Sequence, residues 1–162
     1  MRPFQKSAII ASAVFTAFAV IFLIYTARID TGSYLRLENA ECGRLLLRLP
    51  VQSEDTFTVS YIHSVNQSPV REIFELPGGR IVLSALEFYT FGAGIPAEIE
   101  PGQALVHLPC GAMRIEGLAR EISQPLRYLI GYTSELTLHM GDYEIPFASL
   151  AEPGVVVLIR LD

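Results

Sequence analysis

A run of 21 residues without a charge, Ser7 to Ala27 (SAIIASAVFTAFAVIFLIYTA), constrains this chain more than any other feature. As a helix it is roughly 31 Å long at about 1.5 Å per residue, which matches a hydrocarbon core of about 30 Å. A helix in a soluble core needs a polar face, and this run offers only scattered Ser and Thr. We therefore expect a cytoplasmic N-terminus over 1–6, a transmembrane anchor over 7–27 and an extracytoplasmic domain over 28–162. Arg2 and Lys6 precede the run, and Arg28 beyond it is soon offset by Asp30. The positive-inside rule then keeps the N-terminus in the cytoplasm and exports the remainder. A cleaved signal peptide is the competing expectation. Its apolar region spans about 7–15 residues and ends in a small-x-small site. Here the run is longer, and Tyr25-Thr26-Ala27 puts a bulky ring where a small residue is needed. Both readings place the domain on the periplasmic side of an inner membrane.

From residue 28 onward the chain holds 10 Arg, no Lys and 17 acidic residues. An acidic surface argues against a nucleic-acid partner and against broad adhesion to anionic lipid. Two cysteines, Cys42 and Cys110, lie in the exported part. In an oxidising compartment an even pair suggests a disulfide; the alternative is two buried thiols packing as small hydrophobes. There is no CxxC, so thiol–redox chemistry is not expected.

The exported part reads as strands. Tyr34–Glu38 alternates apolar and polar with period two. Arg44–Leu49 follows, closed by Pro50, and Thr56–His63 is rich in β-branched and aromatic residues. Val70–Leu76 and Arg80–Tyr89 flank a Pro77-Gly78-Gly79 turn, and a Gly/Pro loop, Phe91–Pro96, interrupts the pattern. Strands resume at Ala104–Leu108, Ala112–Ile115 and Leu126–Tyr132, then Leu136–Met140 and Tyr143–Phe147 as a hairpin. Val155–Leu161 is nearly continuously apolar, as in a strand buried on both faces. Many short strands with frequent turns predict an all-β domain, a small sandwich or barrel.

The densest polar cluster is Tyr61-Ile62-His63-Ser64-Val65-Asn66-Gln67-Ser68-Pro69-Val70-Arg71-Glu72. A hairpin around Asn66-Gln67 would set Tyr61 opposite Glu72 and His63 opposite Val70. Tyr61, His63 and Glu72 would then share a face with Val59 and Phe74. One reading is a ligand site, or an acid–base pair in which Glu72 tunes His63. The plainer reading is a half-buried hydrogen-bond network that fixes the hairpin. Ser64 beside His63 does not make a nucleophile pair, because adjacent strand residues face opposite ways and no GxSxG exists. His63, His107 and His139 lie far apart, with no HxH or HExxH spacing, so neither a metal nor a catalytic set is assigned. Gly92 and Gly94, with Pro96, could line a pocket by close backbone approach, or serve a strained turn. Gly92-x-Gly94 lacks the Lys-Ser/Thr of a phosphate loop, and no cofactor motif is present.

Phe57-x-x-x-Tyr61-x-His63-Ser64-Val65 followed by Pro69-Val70-x-Glu72-x-Phe74 resembles a bacterial family known only as a domain of unknown function, typically encoded beside TRAP transporters of the TAXI type. Phe91–Pro96 matches its glycine-rich segment, and the resemblance spans roughly residues 34–161. The resemblance implies a membrane-anchored accessory protein that touches the membrane and solute-binding subunits of such a transporter, and it carries over no catalytic residues. Tyr61, His63, Ser64 and Glu72 are the positions that match its motif. A small-molecule binding module of the envelope, and an envelope hydrolase using His63 and Glu72, are the alternative expectations.

Overall fold

The strand pattern resolves into two antiparallel sheets. The structure, a computed structural model, describes residues 32–92, 94–96 and 98–162. The expected anchor over 7–27 lies outside the described residues, and among the described residues no helix is long and apolar enough to cross a membrane. The strands in chain order are β1 (Ser33–Asn39), β2 (Leu45–Val51), β3 (Thr56–Ile62), β4 (Pro69–Glu75), β5 (Val82–Phe88) and β6 (Ala104–His107). They continue as β7 (Met113–Glu121), β8 (Leu126–Leu129), β9 (Thr137–Met140), β10 (Tyr143–Pro146) and β11 (Val156–Leu161). Short 3-10 turns form at Pro77–Gly79 and Phe147–Ser149.

The smaller sheet runs β2-β1-β11-β8 and the larger β10-β9-β3-β4-β5-β7-β6. One core joins them. Leu35, Leu37, Leu49, Val157 and Ile159 of the small sheet cluster with Phe57, Val59, Phe74 and Leu138 of the large one. Phe57 and Phe74 are directly paired across β3 and β4 and stack with centroids 4.8 Å apart. A second cluster, Val70, Leu86, Phe88 and Ile115, lies toward the β5–β7 side, with Ile95 packed against it. Val157, Leu158 and Ile159 are all buried, as the apolar run of β11 predicts.

Most strand ends lie within one or two residues of the sequence expectation, and three of the differences have a local reason. β2 does not stop before Pro50 but runs through it to Val51. It is an edge strand, where a missing N–H is tolerated. β8 ends at Leu129, because beyond it the Ile130 carbonyl accepts the Gly154 amide at 2.8 Å while the Val155 amide turns to the Glu152 carbonyl, so the reciprocal ladder bond is lost. β7 does not stop at Ile115 but continues to Glu121. Its pairing with β5 steps from Ala85↔Glu116 to Leu83↔Arg120, so Gly117, Leu118 and Ala119 bulge opposite Ser84. Gly117 (φ 74°) and Ala119 (φ 44°) adopt positive φ there. The bulge breaks the period-two pattern that would reveal the strand.

Gly117 is required by its backbone and by its neighbour. A Cβ built on it meets the Gly102 carbonyl oxygen at 2.4 Å. Gly117→Ala should cost about 2–4 kcal/mol, combining left-handed strain with overpacking against backbone. Urea unfolding followed by tyrosine fluorescence measures this, since the chain has no Trp. An unchanged midpoint would mean that the bulge relocates freely.

Candidate functional site

Backbone pairing lines up one residue from each strand of the large sheet on its inner face. The row reads Ile145, Leu138, Val59, Glu72, Leu86, Ile115, Leu105. Directly paired residues project to the same side, so six aliphatic side chains flank one carboxylate in the central strand. Val70 and Phe74, two positions either side of Glu72 on β4, are both buried. They belong to different clusters, so Glu72 marks the seam between the two cores.

Two tyrosines hold this carboxylate. Tyr61 of β3 donates its hydroxyl to Glu72 Oε1 at 3.4 Å. Tyr128 of β8, from the other sheet, donates to Glu72 Oε2 at 2.5 Å. Burial pushes the Glu72 carboxyl above its ordinary range, and the two donated hydrogen bonds pull the other way without cancelling it. Burial, followed by the nearby Glu72 charge, pushes both tyrosine hydroxyls well above theirs, so they remain donors. The Tyr128 ring also meets Phe147 edge-on, with centroids 6.2 Å apart.

Glu72 and Tyr128 face a cleft of about 400 Å³ at the β7–β8 crossover. Leu83, Leu86, Leu118 and Ile122 supply apolar wall, and Arg120 and Arg127 supply charge. The β7 bulge sets the course of the strand through Leu118 and Arg120. Gly94 and Pro96 of the glycine-rich loop also line this cleft, and Gly94 has φ 83°. Gly92 has a different role. A Cβ there would lie 2.1 Å from the Asn66 side-chain nitrogen, so Gly92 lets the loop approach the β3–β4 turn.

The expected Tyr61–Glu72 proximity is present, but the register is two residues from the one predicted. Tyr61 pairs with Val70, and Glu72 pairs with Val59. The turn spans His63 to Ser68, closed by His63 N to Ser68 O at 2.9 Å and Gln67 N to His63 O at 2.8 Å. His63 Nδ1 accepts the Val65 and Asn66 amides at 3.2 and 3.4 Å. His63 is therefore occupied in capping the turn. It sits four residues along β3 from the Val59–Glu72 pair, about 13 Å of strand. Ser64 is exposed in the same turn.

The cysteines are neither paired nor buried: Cys42 and Cys110 are free, exposed thiols, which corrects both the disulfide and the buried-thiol expectations. Cys42 lies in the β1–β2 turn, its amide held by the Asn39 side chain at 3.2 Å. Cys110 lies in the β6–β7 turn, at the far edge of the other sheet. Among the other histidines, His139 Nε2 bonds Ser60 Oγ at 2.8 Å, and His107 is exposed on the edge strand β6. Among the described residues no group of three or more His, Cys, Asp or Glu could hold a metal.

Sequence reasoning did not find Tyr128, Arg120 or Arg127. Tyr128 lies 56 positions from Glu72, and only a topology that returns β8 against β4 joins them.

A family model described as a domain of unknown function, DUF1850, matches residues 57–147. The chain belongs to that family. The DUF1850 match takes in essentially the whole seven-stranded sheet, together with β8, and so includes Tyr61, Glu72, Arg120, Arg127 and Tyr128. It leaves out β1, β2 and β11, which complete the core from the small sheet. A comparison with curated proteins gives no match, and neither does one with solved structures.

A group whose folded-state pKa lies above its unfolded one contributes stability that is full below the unfolded value and is lost as pH rises through the folded one. Glu72→Gln should therefore melt progressively higher relative to the wild type across that window, read by thermal unfolding at a series of pH values. A carboxyl-carbon NMR titration should place Glu72 above ordinary glutamates, and Tyr128→Phe should move it further up, since donated hydrogen bonds favour the ionised form. A Glu72 that titrates normally, with no pH-dependent gap between the Glu72→Gln variant and the wild type, would contradict the buried carboxylate.

Proposed function

We propose that this DUF1850 protein is a small-molecule binding module of the cell envelope, with the cleft beside Glu72 as its binding site. The observation that carries the reading is the carboxylate centred in an otherwise aliphatic row. Core packing alone would be served as well by an aliphatic residue there, at no cost in desolvation. Small-molecule sites combine apolar walls with a few polar groups in cavities of about 300–1,000 Å³; this cleft of about 400 Å³ lies in that range and sets apolar side chains beside Glu72, Arg120 and Arg127. The hydrolase alternative needs His63 beside Glu72 as an acid–base pair, and the occupation of the His63 ring by turn amides weighs against it.

The setting of this activity is part of the same proposal. The uncharged run over 7–27 supports a single-pass anchor with the β domain on the extracytoplasmic side. The resemblance to proteins encoded beside TAXI-type TRAP transporters supports an accessory role with the membrane and solute-binding subunits of such a transporter. Binding a solute or a signal molecule in the cleft is a task such an accessory would perform.

The test is a thermal-shift screen of small solutes on the full-length protein in phosphatidylcholine nanodiscs. A bound solute at 100 times its Kd stabilises by about 2.7 kcal/mol. Filling the cleft with Leu118→Trp should abolish the shift while leaving the unliganded protein folded. A screen without any shift, or a shift that survives the filled cleft, would remove the cleft from the proposal. Mild-detergent purification of the tagged protein should bring down transporter subunits; their repeated absence, with solute uptake unchanged in a deletion strain, would remove the accessory role.

A further inference from the structure

The described part of the chain has more acidic than basic residues, so an arginine without an acidic partner needs a reason. Arg36, Arg71, Arg80, Arg114 and Arg160 all make ion pairs with Glu or Asp. Arg48 lies over the Tyr34 ring at 3.5 Å from its centroid. Among the described residues, that leaves Arg44, Arg120 and Arg127 without an ion pair or a ring partner. Arg120 and Arg127 line the same cleft, one from β7 of the large sheet and one from β8 of the small sheet. The two arginines thus reach one cleft from separate sheets while nearby carboxylates are matched elsewhere: Glu121, beside Arg120 in sequence, pairs with Arg80 at 3.1 Å.

The charged residues lining the cleft are Glu72, Arg120 and Arg127. With Glu72 ionised the lining carries one net positive charge, and with it protonated, two. Either state favours an anion and disfavours a cation. Guanidinium groups suit planar oxyanions because their donors form a fixed fork. The remaining wall is largely aliphatic, which suits an apolar body attached to the charged head.

We propose that the cleft takes an organic anion, its charged head on Arg120 and Arg127 and its apolar body against Leu83, Leu86, Leu118 and Ile122. The assignment rests on the ligand-binding reading above and narrows it to a chemical class. Glu72 and Tyr128 at the inner end then offer a polar contact to a hydroxyl or carbonyl on the body.

The experiment is isothermal titration of the full chain in phosphatidylcholine nanodiscs, with empty nanodiscs subtracted. The probes are hexanoate and phenylacetate, their neutral amides hexanamide and phenylacetamide, and hexylamine. The acids should bind at least tenfold tighter than the amides, and the preference should shrink as salt is raised. Arg120→Gln and Arg127→Gln should each weaken the acids at least fivefold and leave the amides unchanged. Arg80→Gln, at a surface ion pair outside the cleft, should change neither. Equal binding of acids and amides, or tighter binding of the amine, overturns the anion assignment and leaves the ligand-binding reading standing. Anion preference that survives both cleft substitutions overturns the role of these arginines. Failure of every probe to bind overturns the anion assignment and the ligand-binding reading together.

Discussion

The burial of one carboxylate between two tyrosines sets the terms for the rest of this domain. A carboxylate taken out of water loses several kcal/mol unless it is hydrogen-bonded. Glu72 meets that demand with Tyr61 from its own sheet and Tyr128 from the other. Satisfying Glu72 therefore requires the large sheet to be in register and the small sheet to be docked. A slip of one residue between β3 and β4 would turn Glu72 outward and bring Arg71 inward. The carboxylate thus penalises wrong registers more strongly than a leucine would. Hydrogen bonds to charged groups contribute about 1.5–3 kcal/mol each, which offsets the desolvation without making the site a large net source of stability. The site specifies the arrangement more than it strengthens it.

The two faces of the large sheet show how charge is sorted. One residue along from the inner row, the outer row carries Ser60, Arg71, Glu87 and Arg114 in direct pairs. Glu87 accepts from Arg114 and lies 3.5 Å from Arg71. On the small sheet Glu38 is shared between Arg36 and Arg160. Such surface pairs are each worth about 0–1 kcal/mol. Their main consequence is that five arginines are engaged with acidic partners on outer surfaces. Against that background, two arginines at the mouth of the cleft stand apart in their surroundings, and the cleft lining is positive on a chain whose formal net charge is −5.

Much of the architecture was legible in the sequence because apolar alternation survives wherever a strand is regular. All eleven strands among the described residues coincide with segments whose pattern or composition marks them, and β11 was recognisable as doubly buried from its unbroken apolar run. What failed was local geometry that breaks the period. The Gly117–Ala119 bulge hid the second half of β7. The β3–β4 register depended on a turn capped by His63, with Gln67 at φ 49°, rather than on a two-residue turn at Asn66-Gln67. The error was two residues, and an even shift preserves the face. This is why Tyr61 and Glu72 still met, while His63 fell outside the site. The cysteines misled because an even count says nothing about where the turns that carry them lie. Tyr128 was invisible because no sequence period relates positions brought together only by sheet packing.

The cleft's location follows from unequal sheets. Four strands cannot cover seven, so the small sheet closes over β3, β4 and β9 and leaves the β5–β7 side to a separate cluster, on which the glycine-rich loop packs through Ile95. The chain must pass from β7 in the large sheet to β8 in the small one, and the connecting residues Ile122, Ser123 and Pro125 run along the opening between them. A gap at that crossing is a product of topology. Its polarity is not, since any apolar residue at position 72 would continue the row and let the two hydrophobic clusters merge. A chain that instead places a carboxylate at the seam, braces it from both sheets and brings arginines to the adjoining wall has given up apolar contact where packing alone would have kept it. Local departures of this kind from the hydrophobic pattern, matched by compensating hydrogen bonds, are expected where a fold serves a ligand.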